Sequence, residues 1–252
     1  MISTHTKALP GNARSHMAEL AVPVKKQFIV LANSVKKGCG KFRCVAGLEV
    51  SDEVDGDLIL DDWIRPVSSN VRDEGALTAR HFTYADGTQA APLDIVECQF
   101  NRAVGNEAQP ENWLLDEEIV WKKTGKILLS SLPALLEEPA NLWCQPGVKT
   151  DRIAPEYLPR QALQQSLVLI RIPHGQLFPK ENGRFRLVFV YQGAHYNLSV
   201  TDPRITPALV EQHGSMVKNV IACISLPLAF SGAFQPTPYH YKLVATLFWQ
   251  CP

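Results

Sequence analysis

No run of apolar residues in this chain is long enough to cross a bilayer. The longest, such as Phe28-Ile29-Val30-Leu31-Ala32, stop far short of the ~20 residues that a spanning helix needs. A signal-peptide pattern is also missing; residues 1–24 are polar and broken, and read as a flexible leader. The six cysteines form no C-x-x-C pair and no Cys/His zinc spacing, which argues against a structural zinc site. Cys98 and Cys223 lie inside apolar runs, where a buried reduced thiol is the ordinary state, so the expected setting is the cytoplasm. There is no G-x-S-x-G elbow and no G-x-G-x-x-G. Gly38-Cys39-Gly40-Lys41 lacks P-loop spacing and is followed by Phe42 rather than Ser or Thr. No catalytic set, cofactor or metal is assigned.

Net charge is also absent: 25 basic residues balance 25 acidic ones, whereas a protein gripping long nucleic acid mainly through phosphates should be basic overall. Any such contact must therefore be local, and the charges are in fact segregated. Residues 25–160 carry 16 Lys/Arg against 21 Asp/Glu, while residues 161–252 carry 7 against 3 and four histidines. Within the first half, Lys25 to Arg43 has six bases and no acid, and Glu49 to Asp62 has seven acids and no base.

What remains is a pattern of short β-prone runs. Residues 27–34, 43–50, 58–66 and 93–100 read as strands, with 76–84 a further candidate and Asp86-Gly87 a tight turn. Ser130-Ser131-Leu132-Pro133 opens a short helix that Pro139 ends. Residues 144–160 hold Pro146, Gly147, Pro155 and Pro159 and make a candidate linker. The pattern then restarts with strands at 166–173, 185–191, 196–201, 220–226 and 241–249, and a short helix within 203–211. Five strands and one short helix in this length suit an OB-type barrel, whose closure removes exposed edges. The expected fold is mainly β: two OB-like five-stranded barrels in tandem with a few short helices, one over 25–160 and one over 161–252.

The chain resembles the dual OB-containing domain family along nearly all of residues 26–250. The resemblance is carried by LANSVKKGCGKFRCVAG at 31–47, WIRPVS at 63–68, PLDIVE at 92–97 and QPEN at 109–112. It continues in the same order through Leu142-Trp143, Ser166-Leu167, YNLSVTDP at 196–203 and YKLVA at 241–245. It implies a pair of OB barrels of the kind found in bacterial proteins linked to nucleic-acid or anti-phage conflict systems.

Two constellations are candidate ligand sites. Asn33, Ser34, Lys36, Lys37, Arg43 and Cys44 flank the turn between the first two strands, a loop that borders the binding face of OB barrels. Their amides and cations complement phosphate oxygens, although a solvated hairpin tip has the same composition. In the basic half, Arg184, Arg186, His195, Tyr196, Ser199, Thr201, Asp202, Arg204, Tyr241 and Lys242 cluster in the pattern. Aromatic and Arg side chains on a β-face stack bases at ~1–3 kcal/mol each. Asp202 before Pro203 is equally an ordinary turn residue. Trp63, Trp113, Trp121 and Trp143 are expected in cores, with Arg65 on the strand face opposite Trp63.

The leading expectation is a binding module for single-stranded nucleic acid or a nucleotide-like ligand, working mainly through the second barrel. One rival is a protein-interaction adaptor, favoured by zero net charge and the acidic stretch Asp52–Asp62. A remote one is a metal-dependent nuclease built on Asp94, Glu97 and Gln99, with Asp86 as a further candidate.

Overall fold

The computed structural model describes residues 22–37, 40–54, 57–160, 163–181, 183–232 and 235–249. Most of the expected leader and the Gly38-Cys39 turn lie outside them, as does the side chain of Lys37.

The first half contains β1 (Val24–Lys37), β2 (Phe42–Val54), β3 (Asp57–Val67), β4 (Leu77–Thr78), β5 (Asp94–Ala103), β6 (Asn112–Leu115) and β7 (Lys122–Lys126). Strand β1 pairs antiparallel with both β2 and β5, so the order β1-β2-β3-β6-β5 returns on itself and closes a five-stranded barrel. The pairing of β3 with β6 is parallel, with Arg65 opposite Asn112. Strands β4 and β7 add to its outside, against β2 and β5. Gly47 in β2 is required: a Cβ there would meet the Ile29 carbonyl oxygen at 1.7 Å.

The second half contains β8 (Arg152–Ile153), β9 (Leu167–Pro179), β10 (Phe185–Tyr191), β11 (Ala194–Val200), α1 (Pro207–His213), β12 (Met216–Ser225), β13 (Phe230–Gly232), β14 (Gln235–Tyr241) and β15 (Leu243–Phe248). Strands β10-β11-β15-β12-β9 form a closed barrel with the same winding, its third and fifth strands again parallel. Helix α1 sits between the third and fourth barrel strands, and Thr206 caps it by accepting the Leu209 amide at 3.2 Å. The hairpin β13–β14 is an excursion between the fourth and fifth strands, and β14 also pairs with β8.

Alternation along the strands builds three hydrophobic cores rather than two. Phe28, Val30, Val45, Ile64, Val96 and Phe100 fill the first barrel. Ile170, Ile172, Leu187, Leu198, Ala222 and Val244 fill the second, joined by Leu142 from the segment between the barrels. The opposite faces of the same strands form the third core: Ile29, Leu31 and Trp63 from the first barrel meet Leu167, Leu169, Ile221, Cys223 and Ala245 from the second. Strands buried on both faces read as unbroken apolar runs, which is why FIVLA, SLVLI and VIACI look as they do.

Polar contacts fix the register of this seam. The Val35 amide donates to the Thr201 carbonyl at 2.8 Å, and the Asn33 amide to Thr246 Oγ1 at 3.3 Å. Glu137 accepts from Trp63 Nε1 at 3.1 Å and from the Leu169 amide at 3.0 Å. At the centre Arg65 Nη2 lies 2.8 Å from both Glu111 Oε1 and Ser166 Oγ, and Ser166 Oγ donates to Glu111 at 2.5 Å.

Three local expectations are corrected. Residues two apart on a strand share a face, so Trp63 and Arg65 both point into the seam rather than to opposite sides. Only Leu77–Thr78 of the 76–84 run is strand; Ala79–Phe82 turns into a 3-10 helix, with His81 Nδ1 accepting the Thr78 amide at 3.0 Å. The helix expected after Ser130 is a 3-10 helix, Leu129–Leu135.

Arg65→Ala should cost about 3–5 kcal/mol, because it strands the buried Glu111 carboxylate without its counter-charge. Urea denaturation checks this, and pairing Arg65→Met with Glu111→Leu should recover much of the loss. A single-variant loss no larger than that of an exposed ion pair would show that the seam does not depend on this pair.

Candidate functional site

Where the end of the β1–β2 hairpin meets the second barrel, a cleft of about 400 Å³ opens between the two. From the first barrel it takes Ser34, Lys36, Arg43, Cys44, Arg65 and Gln109; from the second, Arg184, Ser199, Thr201, Ser225 and Phe230. Members of both constellations singled out in the sequence, about 150 residues apart in the chain, thus line one cleft. On the second barrel the lining comes from the end of the third strand and Thr201 after it, the turn before the second strand, and the fourth strand's end, the connection that follows and the fifth strand's first residue. These are the elements that carry ligands in OB barrels.

Lys36, Arg43, Arg65 and Arg184 make this lining cationic, with Glu74 as its one acidic side chain among the described residues. Lys36 Nζ donates to the Glu74 carbonyl at 2.7 Å and is ion-paired with its carboxylate at 3.3 Å. Arg65 is neutralised by Glu111. Arg43 Nη1 and Arg65 Nε are both buried with no hydrogen-bond partner among the described residues. Burial pushes the Arg43 pKa down against the attraction of Asp202, so the guanidinium is held partly desolvated beside open space. An anion in the cleft offsets part of the cost of holding that charge away from water. Val35, Pro66, Val67, Pro227, Leu228 and Phe230 give the same cleft an apolar side.

The other predicted residues lie elsewhere. Tyr196 was expected to stack a base, but its ring is enclosed in the second barrel against Phe189 at 5.3 Å, with its oxygen 3.1 Å from Cys144 Sγ. Lys242 is buried, donating to the Thr150 carbonyl at 2.5 Å with its ammonium over the Tyr196 ring. The buried Asp202 carboxylate accepts from the Arg204 backbone and side chain and from the Leu247 amide at 2.9 Å, closing a turn. Asn33 Nδ2 is spent on the Ala90 carbonyl at 2.8 Å. Arg186 lies on Asn197 and donates to Ser199 Oγ at 3.2 Å, beside the cleft but not in its lining. The carboxylates of the nuclease reading cannot share an ion: Asp94 faces inward, 3.1 Å from the Tyr84 hydroxyl, whereas Glu97 faces outward and pairs with Lys25.

A larger cavity, about 760 Å³, lies beside Trp143, Cys144 and Tyr157. Among the described residues it has no cationic side chain, and its Glu137 is already held by Trp63, Gln165 and Leu169. The cleft between the barrels is therefore the site with chemistry to offer.

A family model for the dual OB-containing domain matches residues 26–247. The chain belongs to this family. No curated protein sequence matches it. Among solved structures, this dual OB-containing domain is similar to the tetrameric p202 HIN2 at 8% identity and a TM-score of 0.30, over 91% of this chain and 92% of that one. It is similar also to the Ifi202 HINa domain, solved in complex with 20-bp double-stranded DNA, at 8% identity and a TM-score of 0.30, over 86% and 91%. Scores this low do not establish a shared site.

Among these residues Lys242 sets a pH dependence. Burial pushes its pKa down from 10.5 to about 8, against the pull of Cys144 and Asp151. Between those two values the unfolded chain binds the proton and the folded one does not, so stability should rise as pH climbs from about 8 towards 10. Lys242→Met keeps the stem and removes the charge. In thermal unfolding it should be more stable than the parent at neutral pH and should lose this rise; an unchanged slope would contradict the assignment.

Proposed function

We propose that this protein binds single-stranded nucleic acid or a nucleotide-like ligand in the cleft between its barrels. The observation that carries the reading is the lining of the cleft, in which Lys36, Arg43, Arg65 and Arg184 stand against an apolar wall. A phosphate oxygen complements such cations, and the apolar wall suits the flat, poorly hydrated face of a base. The balanced net charge fits a short, local contact rather than a long phosphate track. Both barrels contribute, rather than mainly the second.

Fluorescence anisotropy with labelled single-stranded DNA, single-stranded RNA and duplex, at two salt concentrations with Mg²⁺ present, tests this directly. Single strands should bind in a salt-sensitive way without being cut. The double variant Arg43→Ala/Arg184→Ala should bind at least about tenfold more weakly, with a salt slope reduced by about 1 for each phosphate that is no longer neutralised. Arg102→Ala, removing an exposed cation on β5, should change little. A double variant that binds like the parent would remove the cleft from the account. No binding of any nucleic acid, with recovery of a stoichiometric protein partner, would select the adaptor reading.

A further inference from the structure

The hairpin β13–β14 has no part in closing the second barrel, yet it is rich in aromatic residues arranged in order. Arg152, on β8, lies over the Tyr241 ring at 4.8 Å and near Tyr239 at 5.4 Å. Asp151 holds its guanidinium through Nε at 2.8 Å and Nη2 at 2.9 Å, so the cation is fixed in place. The next ring is Phe230, 4.9 Å from Tyr241 and tilted by 43°. The ladder therefore runs Arg152, Tyr241, Phe230, and there it stops at the cleft. Phe230 is 45% exposed and lines the space into which Arg43 and Arg184 also reach.

An aromatic ring this exposed, at the open end of a tilted ladder, leaves apolar surface bare in the cleft at a cost in free energy. A planar heterocycle entering the cleft can cover that surface and continue the ladder. We propose that Phe230 is the base-stacking element of the site, and that it makes the cleft select unpaired bases over both duplex and bare phosphate backbone. The inference rests on the cleft binding nucleic acid and adds what that reading leaves open, namely how a base is told from a phosphate. A paired base is already covered on both faces by its neighbours, so only an unstacked one gains from Phe230. Tyr239 and Tyr241 brace the ring rather than meet the base, since the guanidinium lies over both.

The test compares labelled oligo-dT with an abasic oligomer of equal length, on the full chain. The parent should prefer oligo-dT by roughly tenfold, within the range expected for one stacked base. Phe230→Ala should erase that preference while leaving the affinity for the abasic strand unchanged, and Phe230→Trp should restore it. Arg43→Ala should weaken both oligomers alike. A parent that binds the two equally overturns the proposal without relying on any variant, and so does a Phe230→Ala protein that keeps the preference. If in those cases Arg43→Ala still weakens binding, the cleft stands and only the stacking role falls. If the parent binds neither oligomer, both readings fall together.

Discussion

Two OB barrels become one site because a third hydrophobic core lies between them. Ile29, Leu31 and Trp63 on one side, and Leu167, Leu169 and Ile221 on the other, are the outward residues of strands whose inward residues fill the barrels. Any shift of the seam therefore disturbs both barrel interiors as well. Apolar packing alone tolerates sliding; the buried Arg65–Glu111–Ser166 cluster does not, since its partners must meet within hydrogen-bond distance. The hydrogen bond from Val35 to Thr201 then sets the hairpin end of the first barrel against the third strand of the second.

The cleft is the consequence of that fixed docking. The same short segments of β1 and β2 that enter the seam carry Ser34, Lys36 and Arg43 to its mouth, and β11 with the residue after it carries Ser199 and Thr201 to face them. Arg65 takes part in both, neutralised by Glu111 within the seam while it also lines the cleft. Its charge is thus spent on structure. A chain with no net charge can in this way hold a local positive site, provided that its acids are engaged elsewhere or lie outside the lining.

The fold was legible in the sequence because strands buried on both faces leave short apolar, β-branched runs between turn residues: all five strands of the second barrel and four of the first stand where β-prone runs occur. Short elements such as β6 and β8 were not, since their pairing is set by distant partners rather than by composition, nor was the β13–β14 hairpin, whose segments carry Gly232, Pro236 and Pro238 among few β-branched residues. The site was legible only in part. Ser34, Lys36, Arg43, Arg184 and Thr201 reach the cleft. Tyr196, Asp202 and Lys242 came from the same stretches of sequence but face the barrel interior or a closed turn, because strand direction decides which neighbours point outward. Phe230 gave no signal at all; it follows Leu226-Pro227-Leu228-Ala229, which reads as a plain loop. What singles out Phe230 is the ladder behind it, and no sequence pattern records that.

A ligand held in this cleft must touch both barrels at once. Hydrogen–deuterium exchange of the full chain, with and without saturating oligo-dT, tests it most directly. The account predicts protection appearing together in residues 34–44, 74–76, 199–201 and 225–230, with no change along the outer face of β5. Protection confined to one barrel, or centred on the cavity beside Cys144, would contradict it.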